Sequence, residues 1–143
     1  MFVPRYTAGL VLDYLELATG EIAVDASAAV ESDLPHRVDR ARAQLDKAAG
    51  HALDDEDYGA WIGAEAFAQF VSTLEAADHA LADAQRSPVR EQLWKNLHRA
   101  VEHLTGALEF SRVIWENLPP ESDGPAVETL GEIGEPAERE LEA

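Results

Sequence analysis

Two Glu/His pairs stand four residues apart: Glu75 with His79, and His98 with Glu102, with His103 beside the second. On a helix that spacing puts both members on one face. Helical bundles build di-metal centres from Glu and Glu-x-x-His sets that point inward from several helices. No strict Glu-x-x-His occurs in this chain. His79, His98 and Glu102 are the metal candidates. The apolar periodicity places them at or beyond the edges of the helix stripes, so solvated helix faces are expected, with no metal or other cofactor.

Other chemistries find less support. The chain has no cysteine, which excludes thiol nucleophiles, disulfides and Cys-based zinc sites. It lacks a Gly-x-Ser-x-Gly turn and a Gly-rich phosphate loop. Helical ribonucleases of the HEPN type carry Arg, four to six residues, then His. Arg99 and His103 have three residues between them, and Arg90 and His98 have seven. Glu75-Ala-Ala-Asp78 is a lone fragment of the paired carboxylate motifs of all-α nucleotide pyrophosphatases. No enzymatic activity is expected.

The most site-like stretch is Asp54-Asp55-Glu56-Asp57-Tyr58-Gly59-Ala60-Trp61-Ile62-Gly63. A helical-hand calcium loop needs acids at alternate positions and a distal Glu, whereas these acids are consecutive. They suit a helix start: Asp54 or Asp55 caps, and Glu56 and Asp57 occupy a first turn where the helix dipole favours negative charge. Tyr58, Trp61 and Ile62 then fall where they can close the end of a bundle. Trp61-Ile62-Gly63 resembles the Trp-x-Gly turn of small secreted helical-hairpin proteins. That family's Tyr-x-x-x-Asp/Glu export signal is absent, and the chain is not assigned to it.

The elements that must position these residues are all helical, because apolar residues recur at three and four rather than at two. Helix A is expected from about Arg5 to Glu31, with Leu10, Val11, Tyr14, Leu17, Ala18 and Ile22 inward. Gly20 leaves open whether it is one helix or two. Helix B follows an Asp33 cap on the stripe Leu34, Val38, Ala41, Leu45, Ala48, Ala52. Helix C runs from near Asp55 to Arg86 with Phe67, Leu74 and Leu81 at intervals of seven. Asp78 lies in the column Ala64–Val71–Asp78–Gln85 and, if buried, needs an Arg or His partner. Helix D begins with a Ser87 cap and Pro88 and ends near Leu118. Its three apolar columns, headed by Leu93, Trp94 and Leu97, make a wide stripe. The expected fold is all-α, an antiparallel up-down four-helix bundle over 1–118, followed at 119–143 by an acidic, Pro/Gly-rich disordered tail.

Charge narrows the partners. Twenty-eight acids against eleven bases give a net charge of −17, and only Lys47 and Lys95 are lysines. Direct nucleic-acid binding and anionic membranes are disfavoured. No apolar run approaches a membrane span, and Asp13 and Glu16 interrupt the N-terminal region, so a cytoplasmic protein is expected. The acidity suits salt adaptation, since a carboxylate-rich surface stays hydrated in concentrated salt. Mimicry of nucleic acid by an inhibitor of a basic partner is the alternative, and a metal-binding bundle protein or enzyme is another. Phe110 and Val113, beside Gly106, form a second apolar edge on helix D, and Leu130 and Ile133 form a short ladder in the tail. These four are the expected contacts to a protein partner or a second copy. The chain therefore reads as a non-enzymatic protein acting through protein–protein contacts, as a homo-oligomer or small adaptor.

Overall fold

The computed structural model describes residues 3–22 and 34–119. Among these are five α-helices and no strand: α1 (Arg5–Ile22), α2 (Leu34–Asp54), α3 (Glu56–Ile62), α4 (Ala64–Arg86) and α5 (Arg90–Asn117). None is long and apolar enough to cross a membrane. The Asp33 cap, the extension of helix A beyond Ile22, and Leu130 and Ile133 lie outside the described residues.

Small residues set the packing. α1 lies against α2 and α5, and α4 lies against α5, along most of their lengths; α2 meets α4 over a much lighter contact. The buried faces carry Ala8 and Ala18 on α1, Ala41, Ala48 and Ala52 on α2, Ala77, Ala80 and Ala84 on α4, and Ala100 and Ala107 on α5. Between them sit Val11, Leu15, Leu45, Leu74, Leu81 and Leu104, all buried. Alanine leaves helix axes free to approach toward the short end of the usual ~8–10 Å spacing.

The α2 stripe is buried at all six of its expected positions. On α1 the buried face is rotated from the expected one. Thr7, Ala8, Val11, Leu15, Ala18 and Ile22 are inside, while Leu17 is exposed and Leu10 and Tyr14 are only half-buried. This helix carries apolar residues around most of its circumference, and the alanines rather than the bulkier leucines select its inward side. Gly20 is carried through within α1.

Two helix boundaries also differ from expectation. Helix C is two helices, because Gly63 adopts φ 102°, ψ 143°, a left-handed φ that no α-helix can continue through. Its N–H closes α3 on the Gly59 carbonyl at 2.9 Å, and its carbonyl accepts from Phe67 N at 2.8 Å as α4 begins. At the other turn, Ser87 ends α4 rather than capping α5. Its hydroxyl donates to the Asp83 carbonyl at 2.7 Å and accepts from Asn96 Nδ2 at 2.9 Å. Pro88 stays outside, and α5 begins after Val89, which supplies no side-chain cap.

The short helix α3 inserts the core's largest fully buried side chain, Tyr58. Asp55 caps α3 by accepting from Asp57 N at 3.0 Å. The Thr7 hydroxyl of α1 donates to the same carboxylate, tying the cap to the first turn of α1. Phe67 meets the Tyr58 ring edge-on with centroids 6.1 Å apart, and Gly59 leaves room for that phenyl. Tyr58 Oη and Ser111 Oγ are both buried, and among the described residues neither has a hydrogen-bond partner of good geometry. Burial pushes the phenol up to about 12, with the nearby Ser111 hydroxyl acting in the opposite direction.

These facts fix two outcomes. Tyr58→Ala should cost about 3–5 kcal/mol, whereas Tyr58→Phe combined with Ser111→Ala should be neutral or stabilising, since it removes two buried hydroxyls that lack partners. Both are read from urea unfolding midpoints. A phenol raised in the folded state stabilises fully below its ordinary value of ~10 and loses that contribution as pH climbs through the folded value. Stability of the native protein should therefore fall between ~10 and ~12 on the pH scale, and markedly less in Tyr58→Phe. An equal fall in both proteins contradicts the burial of this hydroxyl.

Candidate functional site

The light contact between α2 and α4 leaves a seam that a polar bridge divides in two. At the bridge, Arg42 of α2 grips Asp78 of α4 with two hydrogen bonds: Nε to Oδ1 at 2.9 Å and the second η-nitrogen to Oδ2 at 3.2 Å. Its other η-nitrogen donates to Gln85 Oε1 at 2.7 Å. Gln85 in turn donates to the Asp39 carboxylate of α2. A guanidinium fork matched to a carboxylate is geometrically specific. The hydrogen bonds that Arg42 donates to Asp78 raise its pKa above the ordinary value against an opposing effect of burial, with the charges of Asp78, Asp39 and Asp46 adding to the rise. The Arg42 and Asp78 side chains are 36% and 40% exposed, so water screens the pair.

On one side of the bridge is a groove of about 240 Å³ lined by Leu45, Asp46, Ala49, Leu53, Val71, Leu74, Glu75, Asp78 and His79. Its floor is apolar, and Leu53 on its lip is 57% exposed. Asp46 and Glu75 stand exposed on opposite walls. On the other side, Leu34, Pro35, Val38, Ala84 and Leu93 line a second hollow of about 450 Å³ that shares Asp39 and Gln85 with the bridge. It opens beside Leu34, where the described residues resume.

The sequence-derived candidates fall in different places. His79 and Glu75 are in the α2–α4 groove. His98 and Glu102 are on the exposed face of α5, where Nε2 lies 3.5 Å from Oε2. The two pairs are not brought together, and among the described residues no three His, Asp or Glu side chains form a group able to hold a metal ion. Asp78 is only partly buried, and its Arg partner comes from α2. Phe110 is half-buried rather than projecting from a second face. Its ring lies 5.0 Å from that of Phe70, at the edge of a small α4–α5 hollow that includes Gly106. Val113, one turn further on, is 51% exposed.

Sequence reasoning missed Arg42, Asp39 and Asp46. The signal was present: Asp39, Arg42 and Asp46 recur at three and four on one flank of α2, and Asp78 and Gln85 are seven apart on α4. What the sequence lacked was the pairing of those two flanks.

No protein-family model, curated protein or solved structure matches this chain.

A double-mutant cycle on Arg42→Ala and Asp78→Asn should give a coupling of about 0.5 kcal/mol in dilute buffer, the size expected of a well-formed but exposed pair. The coupling should shrink as KCl is raised. A coupling of zero in dilute buffer contradicts the bridge as drawn.

Proposed function

We propose that this protein is a small, non-catalytic adaptor acting through protein–protein contacts, with the α2–α4 groove as its docking surface. The observation that carries this reading is the groove itself. It has an apolar floor and a charged rim, yet at about 240 Å³ it is smaller than the ~300–1,000 Å³ typical of small-molecule sites. One or two apolar side chains of a partner fit its size.

The frame proposed for it is an antiparallel up-down bundle of the four long helices, with α3 as a plug at one end. Contacts along each pair support this: as one residue number rises, its partner's falls. Tyr14 stacks on His51 while Glu21 pairs with Arg40. Arg5 reaches Trp115 while Glu16 meets Arg112. Phe70 packs on Phe110 while Asp83 lies beside Arg99.

A second reading, self-association, is favoured by one observation: Val113 is half-exposed on α5 next to the partly covered Phe110. Val113→Glu tests it better than a change at Phe110, whose ring is committed to Phe70. The setting proposed for either reading is a salt-adapted cytoplasm, supported by the net charge of −17.

Three measurements check these readings. A benzoylphenylalanine crosslinker at Leu53, introduced in the native cell, should trap a defined heterologous protein. The same group at Glu109, exposed on α5, should trap none. Equal capture at both positions, or none at Leu53, contradicts the adaptor reading. Light scattering at matched salt should show Val113→Glu reducing the mass of any assembly, and an unchanged mass removes the self-association reading. The melting temperature should rise as KCl goes from ~0.1 M to ~1 M and beyond, because salt screens the repulsion among carboxylates. A flat or falling profile counts against salt adaptation.

A further inference from the structure

We infer that the occupant of the α2–α4 groove is a cationic amphipathic helix of a partner protein. Its apolar anchors rest on Ala49, Leu53 and Val71, and its lysines or arginines pair with Asp46 and Glu75. This rests on the reading of the groove as a docking surface and names the chemistry that fills it.

Charge selects the occupant. Asp78 is already met by Arg42. Among the described residues Asp46 and Glu75 make no direct ion pair, Asp46 acting on Arg42 through its charge alone, and they line the groove from α2 and α4 respectively. An apolar strip with an open carboxylate on each wall complements a helix whose apolar stripe is flanked by cations. The self-derived occupants carry the wrong sign. The segment 120–143 holds Val127, Leu130 and Ile133 but has eight acids against one Arg, and a second copy brings another −17. Phosphate-bearing ligands are repelled by the same field.

Length selects the form of contact. From Asp46 to Leu53 is seven residues, ~10 Å along α2 at ~1.5 Å per residue, which is two helical turns. A partner helix lying over the seam can therefore place anchors at i and i+4 or i+7 into it, with a cation between them reaching either wall.

The test is methyl NMR on the full chain, titrated with three model peptides of about 18 residues, long enough for partial helicity. One is a Leu/Lys amphipathic helix; in the second every Lys is replaced by Gln; the third is a scrambled Leu/Lys peptide with no helical period. The Leu/Lys helix should shift the Ala49, Leu53 and Val71 methyls and bind at least about tenfold tighter than the Gln peptide at ~0.15 M KCl, the gap narrowing toward 1 M as screening shortens. Asp46→Asn with Glu75→Gln should erase most of that gap. Leu53→Gln, at an exposed site that leaves the fold intact, should weaken both helical peptides. If the Gln peptide binds the same methyls equally well, the cationic class is wrong while the docking groove stands. If no peptide shifts those methyls, the groove reading falls with it. Equal binding by the scrambled peptide reduces the effect to diffuse charge and overturns the proposal. Deletion of 120–143 that by itself shifts the groove methyls makes the chain's own segment the occupant, and also overturns it.

Discussion

Alanine governs how these helices meet. Along α1–α2 and α4–α5 the buried faces are rich in alanine, which lets backbones approach closely, and Leu15, Leu45, Leu81 and Leu104 are buried. Side chains in such a core interlock at crystal-like density, so tightening one seam fixes what its neighbours can do. With α1 also held against α5, the remaining α2–α4 seam is the lightly packed one. Its principal cross-link is a hydrogen-bonded ionic bridge, Arg42 with Asp78 and Gln85, and not a wall of leucine. The groove and the hollow on either side of that bridge follow from this unequal division of apolar surface.

The far end of the molecule is closed by a different device. Gly63 turns the chain out of α3, the Asp55 cap is fastened to Thr7, and Tyr58 is thereby driven into the core against Phe67 and Ser111. Three local features, a left-handed glycine, a capping carboxylate and a buried ring, combine to plug the space beside α2 and α4 without closing the seam between them. The acids that made this stretch resemble a metal loop serve mainly to begin a helix.

Much of this was legible in the residues. The α2 stripe and the α5 column Leu97, Leu104, Ser111, Leu118 are buried as their periodicity requires, while the α5 column Trp94, Val101, Leu108, Trp115 is only partly buried. On α1 apolar residues surround the axis, so periodicity placed Val11, Ala18 and Ile22 inside correctly but chose Leu17 over Leu15. The break at Gly63 depends on one backbone dihedral, and the start of α5 depends on which helix claims the Ser87 hydroxyl. The site was the least legible part. Asp46 and Glu75 are surface acids among twenty-eight, and nothing in one dimension singles them out. Only tertiary packing places them on the two helices that line one groove.

The central claim is that the α2–α4 seam presents accessible apolar surface beside the buried core of Leu15 and Leu104. A soluble paramagnetic agent, with relaxation read at individual methyl groups of the full chain, tests it most directly. Leu53 and Val71 should relax strongly while Leu15 and Leu104 stay protected. If Leu53 and Val71 are as protected as Leu104, the seam is closed or covered, and the docking account is wrong.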